Sequence, residues 1–596
     1  MKKYFLLFHF LILAICCKNT PERPIEFQDP WFFQIDREKV GIRQEWFRMD
    51  YDLSALKKAE IADDWESLTG SDYDGWGWYF IDFSFHDQFE KAALSFLSVD
   101  DNAIVWLNDQ MVGKHYGANE SFKMDVSRLL KSGINRLVVR IEDTGGFGGL
   151  NGAVELIPFK QEEDLLKGKY FGAKTPVHPY WASNAVIYEL NTRQFTREGT
   201  FKAIEPRIKE LRDLGVNIIW FMPIHPIGEK NRKGSLGSYY SVKDYYGINP
   251  EFGDLNDFKR LIQLMHEADM YAIIDLVANH TAWDNPLIEQ HPEWYTHDND
   301  GNIISPISDW YDVADLNYNN PDLRRYMIDV MKYWIAEVGI DGFRCDVAAM
   351  VPTDFWIEAR KALDTIKPVF MLAEAETPEL NAYGFDMTYA SAMHRLFNEI
   401  AQGKRSPKEI DLFLKFEYYN YPPGSMRMRF TSNHDENSWN QSVIIRMGRE
   451  AARVGAVLTC TLPGNPLIYN GQEVGNEKAL NFFERDPIAW QENEFRSFYQ
   501  ELFWTYRQHP ALNLGDMKKL VSNNDDQIYS FIRRYKDDKV VVVVNFSADS
   551  FKGEIHFNGI KGLFIEIFSD IELFFNEGKM FVNMKPWEYR IYVEKK

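Results

Sequence analysis

The sequence predicts a multidomain chain in which a closed (β/α)8 TIM barrel lies between an N-terminal β-sandwich and a C-terminal antiparallel β domain. Three observations favour this fold class. The chain has 596 residues, which is too long for a single hydrophobic core. From about residue 180, strand-like and helix-like segments alternate at least eight times, as in a barrel of parallel strands. Short strands of alternating polarity precede and follow this region.

Residues 1–24 are typical of a secretion signal and tether. Lys2 and Lys3 precede an apolar stretch that is too short to span a bilayer, and Cys16 and Cys17 follow it. This order resembles a bacterial lipoprotein signal in which one of the two cysteines is lipidated. We therefore expect a bacterial cell-envelope protein, anchored to the membrane by lipid on the periplasmic side or at the cell surface. Plain secretion is the alternative.

Residues 25–165 are predicted to form the β-sandwich, because short runs of alternating polarity are closed by Gly, Asp and Asn. Examples of these runs are "WYFIDFSF", "AALSFLSV", "NAIVWLND" and "NRLVVRIED". The region resembles the jelly-roll, galactose-binding-like domains. Such domains bind glycans in some proteins and only brace a neighbouring domain in others. Both roles stay open here, with bracing favoured.

Residues 175–515 are predicted to form the barrel, with a short insertion at about 281–320. Its segments alternate between strands such as "VNIIWFMPI" and amphipathic helices such as "LNDFKRLIQLMHEAD". An open doubly wound sheet is the alternative, but no glycine-rich phosphate loop follows the first strand. Residues 516–596 return to antiparallel patterns and are predicted to form the third domain.

Composition and charge narrow the function. The formal net charge of -21 argues against nucleic acid and anionic membrane surfaces as partners. Seventeen tryptophans and thirty tyrosines supply aromatic faces of the kind that stack on sugar rings, although large cores explain most of them. Cys345 and Cys460 lie in apolar runs and are expected to be buried free thiols. No cysteine spacing is typical of a metal site.

Polar residues cluster where predicted barrel strands end, and in a barrel of this kind the carboxyl ends of the strands carry the catalytic groups. Any one of these residues alone is more typical of a hydrogen-bonded structural position. The ends of predicted strands three, four, five and seven carry such residues, in this order: Asp275, Asn279 and His280; Arg344 and Asp346; Glu374 and Glu376; Asn433, His434 and Asp435.

The segment "DGFRCDVAAM" places Arg344 two residues before Asp346, so on a strand both side chains point to one face. Phe343, Cys345 and Val347 are expected to point to the other, apolar face. A carboxylate that is held ionised by a guanidinium suits a nucleophile. On these residues alone, a structural salt bridge and a catalytic pair are equally supported.

Four segments resemble the signature regions of the α-amylase superfamily of glycoside hydrolases, in their usual order. They are "DLVANH", "GFRCDVA", "LAEA" and "TSNHD", and the resemblance runs from roughly residue 180 to the end of the chain. It implies that Asp346 is the nucleophile, Glu374 the general acid/base and Asp435 a third carboxylate that binds sugar hydroxyls.

The same resemblance implies the substrate contacts. Arg344 would hold the nucleophile ionised, and Tyr240 would stack on the sugar beside the scissile bond. His280 and His434 would contact that same sugar. No cofactor is implied, and no metal ligand is assigned.

The chemistry of glycoside hydrolysis fits this arrangement independently. Retaining enzymes use two carboxyl groups about 5–5.5 Å apart, one ionised and one protonated. Neighbouring parallel strands are about 4.8 Å apart, so equivalent positions on strands four and five supply that separation. We expect Arg344 to lower the pKa of Asp346, and the neighbouring carboxylates to raise the pKa of Glu374.

The predicted function is therefore retaining hydrolysis of α-glucosidic bonds, mainly α-1,4, in maltodextrins, starch fragments or cyclodextrins. The partner is an α-glucan oligosaccharide or polysaccharide. One alternative is a 4-α-glucanotransferase on the same fold, in which a sugar hydroxyl replaces water. Another is a non-catalytic surface glycan-binding protein, which the presence of all three carboxylates disfavours.

Several positions depart from the family pattern. "RCDVA" is similar to the neopullulanase and cyclomaltodextrinase branch, but Ala349, Met350 and Glu376 differ from the residues expected there. Glu374 is preferred to Glu376 as the acid because it directly follows an apolar run, and burial raises a carboxyl pKa. Glu376 is expected to stay ionised and serve binding or loop structure. A calcium requirement is left open by Asn279 and by "HDNDGN" at 297–302, which is more typical of an acidic turn.

Overall fold

The computed structural model describes residues 24–27, 30–61, 65, 73, 75–86, 89–99, 102–115, 121–143, 149–150 and 152–595. The predicted signal, with Cys16 and Cys17, lies outside the described residues. The chain divides into two compact units, Met1–Lys169 and Tyr170–Lys596. Within the described ranges, no helix combines the length and apolarity that crossing a membrane requires.

The first unit contains two antiparallel sheets around a core of its own. The core is rich in large apolar side chains, among them Trp31, Trp65 and Tyr79. In spatial order, the four-stranded sheet contains Ile25–Glu26, Val154–Pro158, Ala92–Phe96 and Phe122–Asp125. The six-stranded sheet contains Lys57–Ala59, Trp31–Ile35, Trp76–Phe85, Gly133–Glu142, Asn102–Leu107 and Gln110–His115.

The second unit contains a closed barrel of parallel strands, as the sequence predicted. Each strand pairs with the next along the chain, and the last pairs with the first. The barrel strands are β1 (Ile187–Leu190), β2 (Ile218–Phe221), β3 (Tyr271–Leu276), β4 (Gly342–Cys345), β5 (Phe370–Ala373), β6 (Met387–Tyr389), β7 (Met426–Phe430) and β8 (Asn465–Tyr469).

Successive side chains along each strand point alternately into the barrel and outward to the surrounding helices. On β7, Met426, Met428 and Phe430 belong to the cluster inside the barrel, whereas the intervening Arg427 and Arg429 pair with Glu417 on an outer helix. This period-two pattern is what a strand geometry imposes. The inside of the barrel is therefore a packed core that supports the site at the ends of the strands.

Helices surround the barrel and account for the amphipathic segments of the sequence. Asp254 and Asn320 cap the first turns of two of the longest helices by accepting hydrogen bonds from backbone N–H groups. In chain order, the α-helices are Thr192–Phe195, Phe201–Ile204, Ile208–Leu214, Leu255–Glu267, Leu287–Gln290, Pro321–Tyr333, Thr353–Asp364, Pro378–Ala382, Ser391–Ala401, Ile410–Asn420, His434–Asn440, Val443–Met447, Arg449–Thr461, Glu494–Gln508 and Pro510–Asn513.

Between β3 and the helix Pro321–Tyr333, the chain leaves the barrel and forms a small antiparallel pair, His280–Ala282 with Val313–Asp315. The loop inside this pair includes Trp310 and Asp312, which face the cavity described below. This excursion carries His280 over the end of the barrel.

The C-terminal part of the second unit is antiparallel, as predicted. Its six-stranded sheet has the spatial order Asp516–Lys519, Ile528–Tyr535, Asp538–Asn545, Tyr589–Glu594, Gly562–Glu566 and Glu572–Phe575, and Phe551–His556 pairs with Lys579–Met584. Tyr529, Phe531 and Val542 of this sheet join the same hydrophobic cluster as the outer barrel residues. The barrel and the C-terminal sheet therefore share one core.

Candidate active site

One buried guanidinium organises the site. Arg344 has no exposed surface, and its Nη1 lies 2.8 Å from Asp275 Oδ1 and 2.8 Å from Asp346 Oδ1. Its Nη2 lies 2.8 Å from Glu374 Oε1, and its Nε donates to the hydroxyl of Tyr389 at 3.1 Å. Carboxylates from three neighbouring strands thus converge on a single cation, which offsets part of the cost of burying them.

The strand geometry explains why these groups meet. Asp275 on β3 pairs in register with Arg344 on β4, and Cys345 pairs with Ala373, directly before Glu374. Cys345 faces the outer core, where burial raises the pKa of its thiol. The sequence-based expectation that Arg344 and Asp346 share one face and that the cysteine packs behind them is confirmed.

The expectation for Val347 is wrong. It was expected on the apolar face, but β4 ends at Cys345 and Val347 has a left-handed backbone with φ of 37°. Val347 lines the cavity, and its N–H donates to Glu374 Oε2 at 2.8 Å. A β-branched residue is strained in this conformation, so strand alternation stops being a guide where the strand ends.

A second buried chain of polar groups lies beside the first. Glu189 Oε1 lies 2.5 Å from His434 Nδ1, and His434 Nε2 lies 2.8 Å from the hydroxyl of Tyr240. That hydroxyl donates to Asp275 Oδ2 at 3.1 Å. Burial lowers the pKa of His434, but Asp435 and Glu189 outweigh burial and raise it to about 9. His434 is therefore an imidazolium at neutral pH that donates from both ring nitrogens.

These groups form the floor of a cavity of about 200 Å³. Six of the seven predicted site residues line it, namely Tyr240, His280, Asp346, Glu374, His434 and Asp435. The seventh, Arg344, lies beneath and contacts Asp346 and Glu374. His280 Nε2 is 4.0 Å from Asp346 Oδ2. Burial lowers the pKa of His280 to about 4, so the imidazole ring of His280 is neutral.

The expected directions of the pKa values of Asp346 and Glu374 are wrong. Burial and the neighbouring Glu374 carboxylate raise the pKa of Asp346 well above its ordinary value, despite Arg344. Burial also acts to raise the pKa of Glu374, but Arg344 and the Val347 N–H outweigh it and lower that pKa. The reason is that Arg344 serves Asp275 and Glu374 as well as Asp346.

Glu376 lies outside the cavity. Strand β5 ends at Ala373, so the two glutamates need not share a face. Glu376 Oε1 pairs with Arg427 Nη2 at 2.7 Å, and its Oε2 accepts from the N–H of Ala392 in the first turn of a helix. Burial raises the pKa of Glu376, with Arg427 opposing it. The contacts of Glu376 hold the loop after β5 against its neighbours.

The sequence-based prediction missed several residues that line the cavity or lie beneath it. Glu189 is a charged residue inside the otherwise uncharged, buried strand "IYEL". A charged residue in such a strand could have been recognised from the sequence as a candidate site residue. No such signal marked Lys233, Trp310 or Trp439, because they lie in loops or in a short helix. Their roles depend on how distant segments fold over the end of the barrel.

No group of three or more His, Cys, Asp or Glu side chains suited to a metal ion occurs among the described residues. The acidic segment at 297–302 forms a turn in which Asp298 accepts from the N–H groups of Asp300 and Asn302. Asn279 contacts the ring of His280 at 3.4 Å. Polar atoms of Asp298 and Asn279 are therefore bonded to other groups of the protein.

Comparison with known families identifies the class of protein that this fold and site define. The profile described as "Alpha amylase, catalytic domain" matches residues 181–312 and 307–540. The profile described as "Maltogenic Amylase, C-terminal domain" matches residues 517–591. The chain belongs to the α-amylase family of glycoside hydrolases.

Solved structures agree with this assignment. A maltogenic α-amylase from Thermotoga neapolitana is 33% identical, with 69% of this chain and 99% of that chain covered and a TM-score of 0.64. An α-amylase from Lactobacillus plantarum is 32% identical over 69% of this chain and 99% of that one, with a TM-score of 0.63.

Curated relatives are more distant. The α-amylase MalA of Haloarcula japonica is 29% identical to this chain. The match covers 65% of this chain and 59% of the length of MalA. Neopullulanase 2 of Thermoactinomyces vulgaris is 26% identical over 62% of this chain and 70% of its own length.

Proposed function

We propose that this glycoside hydrolase cleaves α-1,4-glucosidic bonds in maltodextrins, starch fragments or cyclodextrins with retention of configuration. The observation that carries the proposal is the single guanidinium of Arg344 between Asp346 and Glu374, two carboxyl groups directly after neighbouring strands at the floor of one cavity. The names of the α-amylase and neopullulanase relatives support an α-glucan substrate.

In the first step, Asp346 attacks the anomeric carbon of the sugar in the cavity. The bond to the glycosidic oxygen breaks, and Glu374 donates its proton to that oxygen as the leaving chain departs. In the second step, Glu374 removes a proton from water, and the resulting oxygen displaces Asp346 from the anomeric carbon. Two inversions give net retention, and both carboxyl groups return to their starting states.

The first step requires the proton on Glu374 and the charge on Asp346. In this structure the raised pKa belongs to Asp346 and the lowered pKa to Glu374. Substrate binding therefore has to favour the proton on Glu374 over a proton on Asp346. A glycosidic oxygen beside Glu374 favours this because it accepts a hydrogen bond from the protonated acid but not from a carboxylate.

The surrounding groups bind and orient the sugar. The neutral ring of His280 is buried at the cavity wall, where bulk water does not compete for its N–H group, whereas His434 uses its two N–H groups to hold Glu189 and Tyr240. Tyr240 is fixed by His434 and Asp275, and its ring lies 5.6 Å from the Arg344 guanidinium. A fixed aromatic ring of this kind offers a flat face to the sugar.

Product analysis with maltoheptaose, β-cyclodextrin and pullulan tests the proposal. We expect reducing ends to increase with time on maltoheptaose and β-cyclodextrin, and the Asp346→Asn variant to release none above background. Reducing ends that stay constant while chain lengths redistribute would indicate transfer to another sugar. Absence of turnover by the wild-type protein on all three glucans would contradict the proposed substrate class.

We also propose that the protein is lipid-anchored in a bacterial envelope, on the support of the Lys2, Lys3, apolar and Cys16, Cys17 order. Replacement of both cysteines by serine is expected to move activity from the membrane fraction to the soluble fraction. A variant with Cys345→Ser and Cys460→Ser is the matched control, because those thiols are buried. Continued membrane association of the first variant would contradict the anchor.

A further inference from the structure

Trp439 is an exposed tryptophan beside the cavity. It lies on the helix His434–Asn440, four residues after Asp435, so both side chains lie on one face of that helix. It is the sole tryptophan among the strongly exposed large apolar residues of the described chain, at 57% exposure. Exposure of so large an aromatic surface to water is informative when it occurs next to a binding site.

Two phenylalanines pack against the indole ring of Trp439. Its ring centroid is 5.4 Å from that of Phe482 and 5.8 Å from that of Phe483. Phe482 is buried and stacks on Tyr240 at 6.2 Å. An aromatic series thus leads from Tyr240 in the catalytic cavity to Trp439 at the surface.

A second cavity of about 610 Å³ adjoins the first, and Trp439, Phe482 and Phe483 line both. Its other walls come from the chain between Lys478 and Asp486, which carries charged and amide side chains. A long concave path with an aromatic face and polar walls suits a sugar ring, which is apolar on its faces and has hydroxyls at its edge. Asp435 lines the catalytic cavity but not the second one.

We propose that Trp439 is the platform on which an α-glucan chain stacks as it passes from the catalytic cavity into the second cavity. This inference rests on the proposed α-glucan activity. The platform makes the enzyme discriminate by chain length, because a sugar confined to the catalytic cavity does not reach the second cavity. Trp439 is a residue that determines specificity, and it takes no part in proton transfer or attack.

Two substrates of different size separate the platform from the catalytic centre. Maltoheptaose is long enough to occupy both cavities, whereas α-glucosyl fluoride places one sugar in the catalytic cavity and needs no proton for its leaving group. For Trp439→Ala, we expect kcat/KM on maltoheptaose to fall about tenfold, equivalent to about 1.4 kcal/mol. We expect the loss on α-glucosyl fluoride to be smaller than about twofold.

Two further variants complete the experiment. Trp439→Phe keeps an aromatic face and should restore most of the maltoheptaose activity. Phe574→Ala removes an aromatic side chain of similar exposure, 52%, in the C-terminal sheet. It should leave kcat/KM unchanged on both substrates. Melting temperatures of all variants identify any general loss of folding.

Each outcome decides the inference. Selective loss on maltoheptaose with recovery in Trp439→Phe supports the platform. Equal losses on both substrates would show that Trp439 only supports the catalytic centre, and no loss on either would show that the chain does not contact it. Failure of the wild type on maltoheptaose, with turnover of the fluoride, would contradict the proposed substrate and not the enzyme class.

Discussion

Arg344 is the residue on which the charge balance of the site depends. It carries one positive charge and lies within 2.8 Å of three carboxylates, from Asp275, Asp346 and Glu374. Three buried carboxylates cannot all stay ionised around one cation without a large electrostatic cost. We therefore expect the site to retain a proton, which the proposed reaction uses at Glu374.

Replacement of Glu374 by glutamine tests its role as the acid. Loss of a general acid typically costs about 10²–10⁴-fold in rate, so we expect maltoheptaose hydrolysis to fall by this factor. The first step on α-glucosyl fluoride should fall much less, because fluoride leaves without a proton. Steady-state and burst kinetics on the two substrates measure the difference.

Glu376→Gln is the matched control for this experiment. Glu376 pairs with Arg427 outside the cavity, so its replacement should lower the melting temperature and leave most of the activity. A dead Glu376→Gln variant together with an active Glu374→Gln variant would reverse the assignment of the acid.

His434 makes stability depend on pH. Asp435 and Glu189 overcome burial and raise its pKa from the ordinary 6.5 to about 9. A raised folded-state pKa contributes stability that is complete below the unfolded value and is lost as the pH rises through the folded value. The difference in Tm between wild type and His434→Gln should therefore narrow as the pH rises from about 6.5 to about 9.5.

Asp312→Asn is a suitable control in the same pH series, because it alters a carboxylate of the cavity wall that pairs with Lys233 and leaves His434 in place. Its Tm difference from wild type should stay constant over this range. A His434→Gln difference that is also constant, or that grows, would contradict the protonated histidine.

At the residue scale, the seven residues predicted from the sequence lie together in the structure, but the predicted pKa directions of Asp346 and Glu374 were wrong. Arg344 and Asp346 were recognisable from their spacing within one strand. The contact between Arg344 and Asp275 was not recognisable from the sequence, because it depends on the register between β3 and β4. The expected pKa directions followed the Arg344–Asp346 pair, but burial and the Glu374 carboxylate raise the pKa of Asp346, and Arg344 and the Val347 N–H lower that of Glu374.

At the element scale, the distance between β4 and β5 sets the distance between Asp346 and Glu374. Gly342 begins β4 and lies so close to β5 that an added Cβ would be 1.9 Å from the carbonyl oxygen of Phe370. Backbone atoms cannot move aside as a flexible side chain can. A glycine at this position is therefore required by the close approach of the two strands.

Gly342→Ala should separate the strands and damage both stability and catalysis. Overpacking of this kind typically costs about 1–3 kcal/mol, and the damage to kcat should exceed the effect on KM because the reacting carboxylates move. Thermal melting and maltoheptaose kinetics measure the two effects. Gly172→Ala is the control, since nothing lies within 4 Å of its added Cβ. Equal behaviour of the two variants would refute the spacing argument.

Prediction at the element scale succeeded where periodicity was strong. The alternation of strands and amphipathic helices identified the closed barrel, and the antiparallel C-terminal sheet followed from its own pattern. Positions beyond the end of a strand were less predictable. Val347 turns into the cavity, and Glu376 turns toward Arg427, because neither lies within a strand.

At the scale of the molecule, the C-terminal sheet is part of the structure that supports the barrel. Arg533 is buried, and it donates to the carbonyl oxygens of Thr461 and Gly515 at 2.8 and 2.9 Å. Valines of the same sheet join the cluster that contains the outer barrel residues. Removal of the sheet would expose this shared core to water.

Truncation tests that dependence. A chain that ends at residue 515 should be insoluble or melt well below the wild type, because its helices lose their apolar partner. A chain of residues 170–596 is the control, since the second unit has its own core and should fold and hydrolyse maltoheptaose. Solubility, Tm and activity are the readouts. A soluble, active chain ending at residue 515 would contradict the shared core.

The configuration of the first-formed product tests the central claim most directly. Asp346 and Glu374 contact the same guanidinium, one through Nη1 and the other through Nη2, and this close placement favours direct attack by Asp346. Proton NMR during the first minutes of maltoheptaose hydrolysis, before mutarotation, distinguishes the anomers. The double-displacement mechanism predicts that the α-anomer forms first. Initial formation of the β-anomer would contradict it.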